Sequence, residues 1–167
     1  MRLSDFPAFE RLTSAQLASL GAAGEERDVP GGTDIIVMGS VGDSLFLLLE
    51  GSLEILRVEA QGERKLAGVT PPAVFGEMEF LTAAPRTATV RATTPARVLA
   101  LPFAELRRRL DDGDVAALQL VRSIAVVVAK RLAATVTKLY EIEDESAGKR
   151  KAELRDFRQK LFSDWSL

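Results

Sequence analysis

The sequence predicts a mainly β fold with flanking helices: a small antiparallel sandwich or roll, one helix before it and long helices after it. Three observations carry that reading. Short apolar runs broken by glycine fill Asp34 to Leu101, the pattern of short strands joined by turns. A helical stripe precedes them at residues 6–20, and an unbroken repeat of three and four follows them at residues 118–142. At 167 residues the chain suits one domain with a real core and an extra helix or two.

In chain order, FPAFERLTSAQLASL puts Phe9, Leu12, Leu17 and Leu20 on one helical stripe, with Ser14 as the expected cap. The segment GAAGEERDVPGG reads as a connector that ends this zone. The strand candidates are then IIVM, LFLLLE, SLEILRV, KLAGV, TATVRA and RVLAL, with Gly39, Gly42, Gly51, Gly62 and Gly68 as punctuation. Pro102 suits the first turn of a helix through Arg109. Asp111-Asp112-Gly113 breaks that helix, and Asp114 can cap the next.

The next helix is the longest. Leu118, Val121, Ala125, Val128, Leu132, Thr135, Leu139 and Ile142 form a seam with one polar member, Thr135. Such a seam can lie on the β core. Ile124, Val126, Val127 and Ala129 add enough apolar surface for a second partner, so a homodimer through residues 118–142 is expected. The tail GKRKAELRDFRQKLFSDWSL places Leu154, Phe157, Leu161 and Trp165 on one face of a basic amphipathic helix. Docking on its own protein is the first reading of it, a protein effector the second and a membrane surface the least favoured. The expected division is residues 1–142 as one domain and 143–167 as the tail.

Composition narrows the function. The 22 Lys+Arg against 24 Asp+Glu give a net charge of -2, so no whole-chain field draws nucleic acid. Cysteine and histidine are both absent, which removes disulfides, thiolate nucleophiles, Cys/His metal sites and imidazole catalysis. No serine elbow or phosphate-loop motif stands in for them. MRLSDFPAFERL lacks the apolar stretch of a signal peptide, and the run IAVVVA is too short to span a bilayer. A cytoplasmic, non-enzymatic protein without cofactor or metal is expected.

One stretch carries chemistry: FGEMEFLTAAPRTATV, Phe75 to Val90. Phe75 and Met78 can anchor a turn in the core, and Gly76 lets an incoming group approach its backbone. Residues Glu77 to Leu81 can form a helical turn with free N–H groups. Arg86, restrained by Pro85, offers a planar charged fork suited to phosphate oxygens. Glu77 can accept from a hydroxyl, so a sugar phosphate would use both residues. The same two residues also suit a surface ion pair.

FGEMEFL…PRTATVRA resembles the phosphate-binding cassette of cyclic-nucleotide-binding domains, as found in the catabolite activator protein, kinase regulatory subunits and cyclic-nucleotide-gated channels. IIVMGSVGDSLFLLLEGSLEILRV is similar to that family's glycine-punctuated β-roll, a jelly roll or double-stranded β-helix. The likeness covers roughly residues 6–142. It implies that Glu77 accepts from the ribose 2′-hydroxyl and that Arg86 pairs with the cyclic phosphate. Backbone from Gly76 to Glu79 and the Ala88 N–H would donate to phosphate oxygens. Thr87 would touch phosphate or a guanine amino group. Thr135, after a similar AKRL segment, would reach the base from a lid helix.

The implied ligand is cyclic AMP or cyclic GMP, with cyclic AMP favoured. The implied role is a stand-alone sensor that signals to a protein effector by moving its C-terminal helices. A structural or assembly module that keeps the roll without nucleotide is the alternative. Two departures stand out. Glu79 replaces a small residue and brings a second carboxylate to an anion site. Only about twenty-five residues follow Ile142, too few for a helix-turn-helix domain, so no DNA-binding role is expected.

Overall fold

The computed structural model describes residues 2–145, with compact units dividing between Ile124 and Ala125. The tail residues 149–167, and with them the predicted amphipathic helix, lie outside the described residues.

Two short 3-10 turns, Leu3–Asp5 and Pro7–Phe9, precede helix α1, Ser14–Ala22. The predicted continuous stripe is therefore interrupted, because Thr13 is extended at φ -69° and ψ 159° and opens a new helix as its cap. The cap is Thr13 rather than Ser14. Its hydroxyl accepts from the Gln16 amide, while the Gln16 side chain accepts from the Thr13 amide at 2.8 Å, a reciprocal capping box.

Eight strands follow: β1 Glu25–Val29, β2 Asp34–Ile36, β3 Ser44–Glu50, β4 Leu53–Glu59, β5 Gly62–Val69, β6 Ala73–Phe75, β7 Thr89–Ala92 and β8 Ala96–Pro102. They form two four-stranded sheets, ordered β1-β8-β3-β6 and β2-β7-β4-β5, with every pairing antiparallel. This is the expected β-roll. Two strands escaped the sequence reading. β1, EERDV, was read as connector because an edge strand can be charged on both faces, and among the described residues β8 alone pairs with it. β6 has only three residues, too few to show a period.

The core lies between the sheets, where Ile36, Phe46, Leu48, Leu53, Phe75, Val90, Val98 and Ala100 are buried together. Phe46 and Phe75 pair across β3 and β6 with ring centroids 5.2 Å apart. Alternation in β3 and β8 turns Leu45, Leu47, Leu99 and Leu101 to the opposite face, and they too are buried. That is why LFLLL reads as a continuous apolar run: both its faces need cover. Leu20, Leu106, Leu120 and Ile124 of the helices are equally enclosed, and each such side chain contributes about 1.5–3 kcal/mol.

Helix α2 is the short Glu77–Thr82, and α3 is Phe103–Asp111, with Pro102 as its cap residue rather than its first turn. Gly113, at φ 72°, ends α3 as the sequence indicated. Asp114 then caps α4, Val115–Glu145, by accepting from the Ala116 and Ala117 amides at 2.7 and 3.1 Å. Along α4, Ala116, Ala117, Leu120 and Ile124 are buried. Ile124 therefore belongs to the domain's own core, not to the off-seam surface assigned to it from the sequence. Among the described residues no helix is long and apolar enough to cross a membrane.

Candidate functional site

Arg86 sits in the loop between α2 and β7, and its backbone is fixed in both directions. Its amide donates to the Ser40 carbonyl at 2.9 Å, and its carbonyl accepts from the Gly39 amide at 2.7 Å. The side chain is thereby sent inward rather than to solvent. It is 5% exposed, with Nη2 donating to the Ser44 carbonyl at 2.8 Å and Nη1 to the Gly76 carbonyl at 3.1 Å. The guanidinium carbon lies 5.5 Å from the Phe103 ring centre and 6.0 Å from that of Phe46, within reach of attraction to both ring faces.

Two glycines make the slot. A Cβ on Gly76 would stand 2.5 Å from Nη1, and one on Gly42 would collide with the Nη2 end of the same group. Gly76 is required twice, since its φ of 81° is also a left-handed turn at the cap of α2. Gly42 is required for space alone. From the sequence it reads as turn punctuation. Its one signal was a position two residues before the start of β3.

Glu79 is the unexpected member. Its carboxylate is 6% exposed, with Oε2 2.7 Å from Arg86 Nε, while Oε1 accepts from the Gly42 amide at 2.7 Å. Oε2 accepts no hydrogen bond despite that closeness, so opposite charge rather than a directed bond holds the contact. The exposed orientation that would make this residue harmless is not the one adopted. Burial pulls the Arg86 guanidinium below its ordinary pKa, while Glu79, Asp43 and Glu77 act to raise it. Desolvation is the larger effect here.

The other predicted residues divide. Phe75 is buried in the core and Glu77 is 5% exposed beside the slot. Met78 is 46% exposed and does not anchor the turn; Phe80 takes that place, 5.4 Å from Phe103. On a helix, residues 77 and 80 share the inward face and 78 turns away. Thr87 is exposed with its hydroxyl 3.5 Å from the Met78 sulfur, Pro85 is exposed, and Ala88 is half-buried. Thr135 lies on the second unit, where its hydroxyl donates to the Arg131 carbonyl at 2.8 Å. Among the described residues no cluster of acidic side chains could hold a metal.

The chain has relatives among known proteins. The family model described as cyclic nucleotide-binding domain matches residues 26–112. The chain is similar to the cAMP-dependent protein kinase regulatory subunit of Mycosarcoma maydis, 34% identical over 106 residues that make 62% of this chain and 20% of the relative. It is similar to the crystal structure of the Thermus thermophilus catabolite activator protein at 27% identity and a TM-score of 0.70, covering 82% of this chain and 63% of that one. The regulatory domain of Toxoplasma gondii PKA, co-crystallised with cAMP, is 26% identical with a TM-score of 0.57, over 64% of this chain and 41% of that one. The chain thus spans less than two thirds of each.

Proposed function

The chain belongs to the cyclic nucleotide-binding domain family, and from that premise we propose that it is a sensor that binds a cyclic mononucleotide, cyclic AMP in preference to cyclic GMP. The observation that carries the reading is Arg86, a charged fork held away from water between Gly42 and Gly76 with the buried Glu77 on the adjoining turn. A buried arginine with incomplete carboxylate pairing suits a phosphate, whose oxygens match its planar donors. Glu77 accepts from the ribose hydroxyl. The amides of Gly76 to Glu79 and of Ala88 donate to phosphate, and Thr87 lies at the ligand's edge. Thr135 contributes from α4 as that helix moves. The relatives named for cAMP support the base preference.

No reaction on the ligand is proposed; the output is a helix rearrangement driven by differential affinity for two arrangements. The seam supports a homodimer as the unit that signals. Leu118 is 50% exposed, and Val121, Val128, Leu132 and Leu139 are only half-buried. A partner copy would cover them, leaving a protein effector to read the change. Light scattering on Leu132→Asp tests this, with a fall to the monomer mass expected and an unchanged mass counting against the seam.

A second reading, a structural module that has lost nucleotide, is favoured by one observation: the Glu79 carboxylate already lies on Arg86. Calorimetry with cyclic AMP, cyclic GMP and cyclic di-GMP on wild type and Arg86→Ala decides between the two. The sensor requires heat from a cyclic mononucleotide that Arg86→Ala abolishes. Silence from every nucleotide with folded protein leaves the structural module.

A further inference from the structure

We infer that the Glu79 carboxylate is a built-in anion that occupies the Arg86 guanidinium and must be displaced before a nucleotide phosphate can bind. The inference rests on the sensor reading above and concerns how that site is regulated. Its basis is a count of donors. A guanidinium offers five N–H groups in one plane, and a phosphate is bound best by two parallel donors along one edge. In Arg86, one Nη1 hydrogen goes to the Gly76 carbonyl and one Nη2 hydrogen to the Ser44 carbonyl. The Nε position faces Glu79 Oε2 at 2.7 Å. Any paired edge that includes Nε is therefore taken by an internal carboxylate.

Burial makes this occupation exclusive. The Arg86 and Glu79 side chains are 5% and 6% exposed, so phosphate and carboxylate would share a space with almost no water to screen them. Two anions at one low-dielectric cation repel strongly, and one has to leave. Glu79 is also the anion that can leave. Its Oε2 lies within 2.7 Å of a cation yet accepts no hydrogen bond, so one directed bond, from the Gly42 amide to Oε1, holds the carboxylate. Its backbone belongs to α2, six residues long, whose C-cap Ala83 is in the left-handed region at φ 56°. A non-glycine residue there costs energy, and a short turn so ended can shift without breaking the sheets.

Glu79 thus acts as an affinity-setting residue. Nucleotide binding includes the breaking of the Glu79–Arg86 pair and of the Gly42–Glu79 hydrogen bond. Loss of the carboxylate frees the Gly42 amide, coupling the loop before β3 to ligand occupancy.

The test is calorimetric titration of cyclic AMP and cyclic GMP into wild type, Glu79→Gln and Glu79→Ala, with circular dichroism to confirm folding. Glu79→Gln keeps the side chain's shape and its bond from Gly42 but removes the competing charge. We expect binding at least tenfold tighter in both variants than in wild type. Variants that bind equally or more weakly, while wild type binds, overturn the inference and leave the sensor reading standing. Binding by the variants alone supports the occupation of Arg86 by Glu79 and overturns the sensor reading for the wild type. Absence of binding in all three proteins overturns the sensor reading and the inference together. Should either variant fail to fold, the Gly42 amide resonance in wild type supplies the second readout. A large shift at saturating nucleotide is expected, and an unmoved resonance overturns the displacement.

Discussion

Arg86 and Arg91 lie five residues apart and meet acidic side chains in opposite ways. Arg91 projects from β7, and its Nε donates to Asp34 at 2.6 Å while Nη1 and Nη2 donate to Glu63 at 2.7 and 2.9 Å. It is 26% exposed, and those two carboxylates, Glu63 first, raise its pKa. Arg86 has its ion pair without a directed bond to it, and burial lowers its pKa. The first arginine is satisfied and wet, so it ties β2, β5 and β7 together and asks nothing of a ligand. The second is dry and under-satisfied, which is the condition under which a side chain gains by meeting an anion.

Arg86→Ala should break the comparison most severely. Beyond abolishing nucleotide binding, it leaves the Glu79 carboxylate buried beside nothing positive, and removing one partner of a buried pair costs about 3–5 kcal/mol. Urea unfolding should show that loss, and the double variant Glu79→Ala/Arg86→Ala should recover part of it. A double variant as unstable as Arg86→Ala would mean the pair is not coupled.

Gly42→Ala comes next. The added methyl meets the Arg86 guanidinium, and overpacking of this kind costs about 1–3 kcal/mol. Nucleotide binding should weaken with it, since the fork is pushed from its slot. Gly68→Ala is the matched control on β5, where a Cβ meets nothing within 4 Å. It should be neutral to slightly stabilising. Equal losses at both glycines would remove the argument that Gly42 is there for Arg86.

The roll was legible because its strands obey a period and its turns carry glycine. Asp114 as a cap, Gly113 as a terminator and the apolar run of β3 all follow from local chemistry that the folded chain leaves unchanged. β1 was not legible, because EERDV owes its strand to pairing with β8, a partner some seventy residues away. At the site, Gly76, Glu77 and Arg86 were marked by their spacing. The Glu79 pairing was not, since it depends on the loop at Gly39 and Ser40 turning Arg86 inward. Long-range backbone bonds of that kind leave no trace in a short motif.

Arg91→Ala tests the satisfied side of the comparison. Exposed pairs contribute about 0–1 kcal/mol, so unfolding should shift by no more than about 1 kcal/mol despite four hydrogen bonds. Nucleotide affinity should stay within twofold of wild type by calorimetry. A larger change in affinity would extend the anion site to β7.

A third arginine cluster gives the smallest effect and a pH signature. Glu105 accepts from Arg108 at 2.8 and 2.9 Å and from Arg109 at 2.9 Å. These bonds, Arg108 first, hold its carboxyl at about 2 against an ordinary 4.5. Arg109 continues to the Ser19 carbonyl at 2.9 Å and to Asp114 at 3.1 Å, linking α1, α3 and the cap of α4. A carboxylate depressed by folding stabilises the protein above its unfolded pKa, and the benefit fades as pH falls toward the folded value. Glu105→Gln should therefore melt below wild type at pH 7. The gap should narrow from about pH 4.5 downward and close near pH 2. A gap that stays constant across that range would show that shape, not charge, fixes Glu105. The Arg86 slot, with its side chain only 5% exposed, would then differ from the Glu105 cluster in that an arginine's charge decides the outcome there.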